Sequence, residues 1–164
     1  MSGVRRAERT LSSFQFYHNA ISIHVEVSKL CHSDKVIPKS WRLSHALPLI
    51  ELSRSLLRNV TKSDAFYPNT THNVLKRREY LTLAIADCEE LGLEFGLLVP
   101  MGLTVNMNRF ETIANLINDE IALLKGARKG VKLIGKQSLE QQIAGIEEEL
   151  EVLRAVQSGS VKPC

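Results

Sequence analysis

The residues of this chain whose types and spacing could do chemistry are its cations. Lys76, Arg77 and Arg78 are consecutive, and Arg54, Arg58 and Lys62 recur at i, i+4 and i+8. Lys125, Arg128, Lys129 and Lys132 fall close together, and Lys39 and Arg42 follow Pro38. Ammonium and guanidinium groups so spaced suit the phosphate oxygens of a polyanion, and a guanidinium fork can hold two oxygens at once. The chemistry on offer is electrostatic capture of a nucleic-acid backbone, which needs no base-reading motif. Each set also has a plainer reading. Arg54, Arg58 and Lys62 form a solvated edge if nothing meets them, and cations in a last helical turn offset the helix dipole. Arg77 differs again, because it lines up with Val74, Leu81 and Cys88 on an apolar face. A lone buried charge is costly, so Arg77 must be paired or sit at the open end of the core, and Glu120 is the expected partner.

Other chemistry finds no footing. The glycines are single and scattered, so neither common phosphate loop is present, and there is no His-Glu-x-x-His. Cys31, Cys88 and Cys164 are widely spaced, without a Cys-x-x-Cys pair, which argues against a disulfide framework and a zinc site. His18 and His24 read as packed or half-exposed, and the Glu147–Glu149 run as a solvated face. No metal, no cofactor and no catalytic residue is expected, and the chain reads as a non-enzyme. Asn59-Val-Thr and Asn69-Thr-Thr match the glycosylation sequon by chance.

The net charge of +3 conceals blocks of opposite sign. Residues 1–78 carry 13 Lys and Arg against 5 Asp and Glu, and residues 79–124 carry 1 against 8. Residues 125–136 add five cations and no acid, whereas 137–164 have 2 against 5. Such segregation suits a basic surface for a polyanion with acidic surface elsewhere. A length of 164 residues suffices for one domain with its own core. No apolar run approaches the roughly 20 residues of a membrane span. No apolar stretch follows Arg5, Arg6 and Arg9 as a secretory leader would require. The expected setting is a reducing cytoplasm, with no membrane attachment.

Positioning these cations falls to helices. A first is expected from Ser12 or Ser13, ended by the connection Ser33-Asp34 to Pro38. Phe14, His18, Ile21, Val25 and Ser28 form one stripe, and Phe16, Ala20, Ile23, Val27 and Leu30 a second, together a wide apolar face. A strand is the less favoured alternative there. A second helix carries Leu43, Ala46, Ile50, Ser53, Leu57, Val60 and Asp64. Pro48 must kink it or delay its start, since an interior proline costs roughly 3 kcal/mol. The longest spans Thr71 to Val99, capped by Thr70 or Thr71, with Val74, Leu81, Ile85, Cys88, Gly92, Phe95 and Val99 inward. A fourth, opened by an Asn108–Glu111 capping box, buries Phe110, Ile113, Ala114, Ile117, Ile121 and Leu124. From Gly126 to Lys136 the chain reads as a flexible basic connection. Ser138–Gln141 then caps a fifth helix, in which Leu139, Ile143, Ile146, Leu150 and Leu153 repeat at coiled-coil spacing. Barely two heptads long, it cannot stand alone and must pack on the bundle or on a copy of itself. The expected organisation is a flexible arm 1–11, a four-helix bundle 12–129, a basic linker 130–137, an amphipathic helix 138–156 and a tail 157–164.

Four segments resemble a known family. They are Ile37-Pro-Lys-Ser-Trp-Arg42; Arg58-Asn-Val-Thr-Lys-Ser-Asp-Ala-Phe-Tyr-Pro68; Lys76-Arg-Arg-Glu-Tyr80 with Ala86-Asp-Cys-Glu-Glu-Leu91; and Leu116-Ile-Asn-Asp-Glu-Ile-Ala-Leu-Leu-Lys-Gly-Ala-Arg-Lys129. They look like the Avd proteins, accessory variability determinants of diversity-generating retroelements, and the likeness runs from about Phe14 to Lys129. Related bundles are the ribosomal-RNA intervening-sequence proteins. The resemblance implies an all-α, antiparallel up-down four-helix bundle, here with an additional C-terminal helix. It implies a homo-oligomer (a pentameric ring) that binds RNA and possibly DNA and docks onto a reverse transcriptase. The bundle would help that enzyme copy a template RNA with errors at adenines, performing no catalysis itself.

The resemblance carries over Lys39, Arg42, Arg58, Lys62, Arg77, Arg78, Lys125, Arg128 and Lys129 as nucleic-acid-binding positions. Arg54, Lys76 and Lys132 join them from the charge pattern. The glycine-broken basic segment and the fifth helix depart from shorter family members, which leaves ring size and partner open. Two other readings stay open: a bundle of the same fold with another binding role (ribosomal-RNA-insert or phage accessory protein), and a purely structural oligomer.

Overall fold

The computed structural model describes residues 15–103, 107–135 and 139–157. Within them lie five α-helices and no strand: α1 Gln15–Cys31, α2 Leu47–Ala65, α3 Thr71–Leu98, α4 Met107–Gly130 and α5 Leu139–Gln157. The chain is all-α. Helix α1 packs on α2 and α4, α3 packs on the same two, and α5 touches α3. Helices α1 to α4 thus enclose one core, built from Ile23, Val27 and Leu30 of α1, Leu56 of α2, Leu81, Cys88 and Leu91 of α3, and Ile113 and Leu124 of α4. Asp64 lies opposite Arg77 and Asn59 opposite Asp87, so α3 runs back along α2. Arg128 reaches Thr82, and Phe110 meets Phe95 edge-on at 6.1 Å, so α4 runs back along α3.

In α1 only one of the two expected stripes is inside. Phe16, Ala20, Ile23, Val27 and Leu30 are buried, whereas His18 and Val25 are exposed and Ile21 and Ser28 half-buried. Phe14 and the proposed Ser12 or Ser13 cap lie outside the described residues. A short 3-10 turn, Lys39–Trp41, and a wider π-type turn, Arg42–Ala46, then lead into α2. Pro48 falls in the first turn of α2, where a missing N–H forfeits no intrahelical bond. The proline delays the helix and does not kink it.

Leu43 precedes α2 and is 80% exposed, contrary to its expected inward place. The buried face of α2 is Leu49, Ser53, Leu56, Val60 and Ser63, the expected rhythm set about one residue round the helix. The serines are tolerated there because each hydroxyl donates to its own helix, Ser53 to the Ile50 carbonyl (2.9 Å) and Ser63 to the Val60 carbonyl (2.7 Å). With its proton so committed, Ser53 Oγ accepts from His24 Nδ1 at 2.8 Å. Burial, followed by the charge of Arg54, holds the His24 imidazole below its ordinary pKa, which favours the neutral ring, with this bond selecting its Nδ1–H tautomer.

Helix α3 begins as expected, with Thr70 Oγ1 accepting the Asn73 N–H at 3.1 Å. Gly92 faces Ile117 of α4 across an open pocket that leaves it exposed, whereas Val99 turns outward and its neighbour Leu98 is buried instead. Helix α4 already includes Met107, so Asn108 stands in its first turn and not at its cap. At its other end α4 continues through Gly126 to Gly130, where a flexible connection was expected. Residues 131–135 are also held. Val131 is buried, its carbonyl accepts from Arg78 at 2.8 Å, and the Ile134 N–H donates to the Pro68 carbonyl at 2.8 Å. Lys136 and Ser138 lie outside the described residues.

Helix α5 meets α3 through Glu148, which stands 3.5 Å from His72. The Glu147–Glu149 run is therefore not wholly solvated: Glu148 and Glu149 line a groove with Leu75 and Lys76 of α3.

Candidate nucleic-acid interface

Five polar side chains from two helices meet in one place. Arg78 and Thr82 stand one turn apart on α3, and Lys125, Arg128 and Lys129 share a face of α4 at i, i+3 and i+4. Together they line an open cleft of about 650 Å³ between the two helices. The framework fixes three of them. Arg128 Nη1 donates to Thr82 Oγ1 at 3.2 Å, Arg78 Nη2 to the Val131 carbonyl at 2.8 Å, and Lys125 Nζ to Glu89 at 3.4 Å. A guanidinium carries five N–H donors, so Arg78 and Arg128 can keep these bonds and still present donors to an anion. Two of these cations, Arg128 and Lys129, also stand in the last turn of α4 at its negative end, which accounts for their local tolerance. It does not account for Lys125, more than a turn earlier in α4, or for Arg78, which reaches the same cleft from the opening turns of α3.

The α2 cations lie elsewhere. Lys62 sits 5.4 Å from the Tyr80 ring centroid, and Tyr80 stacks on Phe66 at 5.6 Å. Arg58 acts on Asp87, whose carboxyl burial raises above its usual pKa while hydrogen bonds from Asn59 and Ser55 oppose the rise. Arg54 pairs with Glu51 at 3.0 Å. Tyr80 and Asp87 face α2, whereas Arg78, Thr82 and Glu89 face α4. Positions 80 and 82 differ by about 200° around the helix at 3.6 residues per turn. Arg58 and Lys62 are thus on the opposite flank of α3 from the cleft, and within one chain the two basic groups do not merge.

The remaining candidates are spoken for or stand apart. Arg77 is largely buried and holds the α2–α3 corner, donating to Asp64 at 3.4 Å and to the Phe66 carbonyl at 3.4 Å. Its partner is Asp64 and not Glu120. Glu120 is fully buried, and neither carboxyl oxygen has a hydrogen-bond partner among the described residues. Burial pushes its pKa up to about 8. Arg42 clamps the α1–α2 connection through Asp34 and the His32 carbonyl, away from the cleft. Lys76 bonds Glu79 at 3.0 Å, which chiefly raises its pKa, with Glu148 of α5 adding to the effect. Lys39 and Lys132 are exposed, on the 3-10 turn and beyond α4.

Thr82 was missed from sequence. Its spacing of four from Arg78 was the available signal. Glu120 was legible too, because it continues the apolar series Ile113, Ile117 and Leu124. Among the described residues no cluster of His, Cys, Asp and Glu could hold a metal, and no helix is long and apolar enough to cross a membrane. No family model matches the chain, and no curated protein is detectably similar to it.

Proposed function

We propose that this chain is a non-catalytic nucleic-acid-binding adaptor built on an antiparallel up-down four-helix bundle with an extra C-terminal helix. The observation that carries the proposal is the cleft in which Arg78, Thr82, Lys125, Arg128 and Lys129 converge from two helices. The cleft offers several cationic donors in an open concavity, as a phosphodiester backbone requires. The resemblance of four segments to the Avd proteins supplies the finer reading: a cytoplasmic homo-oligomer that binds template RNA and a diversity-generating retroelement reverse transcriptase.

Fluorescence anisotropy with a labelled RNA tests the binding. Four cations meeting phosphates make affinity fall about 50-fold between 50 and 200 mM salt. The R78E/R128E variant abolishes binding, while R54E, on another flank, leaves it nearly intact. No affinity at the lower salt, or equal losses in the two variants, refutes the cleft as the site. Co-purification of RNA and a reverse transcriptase from the native host tests the partner.

A further inference from the structure

Helix α5 brings acid to the basic start of α3. It carries Glu140, Glu147, Glu148, Glu149 and Glu151 against Arg154, a net charge of −4. Glu148 and Glu149 line the groove against α3. Glu148 stands 3.5 Å from His72 and adds to the raised pKa that Glu79 chiefly gives Lys76. On α3 the seat is His72, Leu75, Lys76 and Glu79. At about 100° per residue these positions form the outer crest of the helix. On one side of the crest lie Arg78 and Thr82 of the cleft, and on the other Tyr80 with Lys62 over its ring.

The seat is shallow. Ile143, Ile146 and Leu150 stay 48%, 59% and 43% exposed, so little apolar burial holds α5 down. One carboxyl oxygen of Glu149 is buried with no hydrogen-bond partner among the described residues, which destabilises the docked state. Attraction between the carboxylates and the cations of α3 offsets this, and a phosphate backbone competes for the same cations.

We propose that α5 is an autoinhibitory cover, whose Glu148 and Glu149 occupy the basic start of α3 until a bound nucleic acid displaces them. This cover presupposes the nucleic-acid reading of the adjoining cleft. Once α5 lifts, His72 and Lys76 bridge the two basic flanks of α3 that the docked helix keeps apart. A cover closed in about nine molecules of ten lowers the apparent affinity about tenfold.

Anisotropy with a labelled RNA on full-length variants tests this, at about 50 mM salt. E148Q/E149Q, which removes both carboxylates from the crest, tightens binding about tenfold. E140Q/E147Q makes the same change in net charge on the opposite face of α5, about 200° away, and tightens binding less than about twofold. Amide exchange gives a readout that net charge alone does not move. Saturating RNA speeds exchange across α5 of the native chain, because the displaced helix loses the packing that steadies it. Circular dichroism confirms that the variants keep their helices. Equal gains in the two variants, or α5 exchange unchanged by bound RNA, overturn the cover and leave the cleft standing. If none of the three proteins binds RNA, the nucleic-acid reading itself falls, and the cover with it.

Discussion

Glu120→Gln is the substitution whose outcome follows most directly from the packing. Glu120 projects from α4 into the core, and its carboxyl oxygens have no hydrogen-bond partner among the described residues. Burial moves its pKa from 4.5 up to about 8. The folded protein therefore keeps a proton that the unfolded chain releases at much lower pH. Stability from this proton is complete below the unfolded pKa and is lost as pH rises through the folded one. Between pH 5 and 8 the loss is about 3 kcal/mol, at about 1.4 kcal/mol per pH unit over most of that window. Glutamine does not titrate, so the difference in unfolding free energy between variant and native protein moves by about 3 kcal/mol in the variant's favour from pH 5 to 8. Urea unfolding at several pH values, followed by circular dichroism, measures that difference, and titrations common to both proteins cancel. If the two stability profiles stay parallel within about 0.5 kcal/mol, the reasoning about Glu120 is wrong.

The other expectations concern the corners of the bundle. Arg77→Ala leaves Asp64 half-buried without its ion pair and costs about 2 kcal/mol, whereas Arg54→Ala, which loses only an exposed pair with Glu51, costs less than about 0.5 kcal/mol. Equal costs in chemical denaturation would mean that Arg77 does not clamp the corner. Thr70→Ala removes the acceptor for the Asn73 N–H and lowers stability by about 1 kcal/mol, visible as a lower thermal midpoint. An unchanged midpoint would show that the cap is made by another group.

Helix number and type were legible because the apolar periodicity of α1 to α4 is strong and Thr70 marks the start of α3. The orientation of each face was less so. Leu43 fits the α2 rhythm numerically, but Pro48 starts the helix later and leaves Leu43 outside it. Asn59 and Ser63 look like surface residues by type, and they are buried because local or cross-helix partners satisfy them, whereas Ser53 already fell on the expected rhythm. Gly126 and Gly130 read as breakers, yet α4 carries them, since a glycine weakens a helix by only about 1 kcal/mol and packing can override that. At the candidate site, the basic ends of α3 and α4 could be named from composition. That Arg58 and Lys62 stand on the far flank of α3 could not, because it depends on which side of α3 each neighbour occupies.

The contact between α1 and α4 sets the order in which the molecule comes together. The other principal contacts among α1 to α4 join helices adjacent along the chain, and these can form early at small loop-closure cost. Joining α1 to α4 encloses everything between them, and one polar link across that boundary is a loose 3.7 Å pair between Glu26 and Arg109. By loop-closure cost the α1–α4 boundary is expected to be the last zipper to shut during folding. It is also the first place where amide exchange should report a gap.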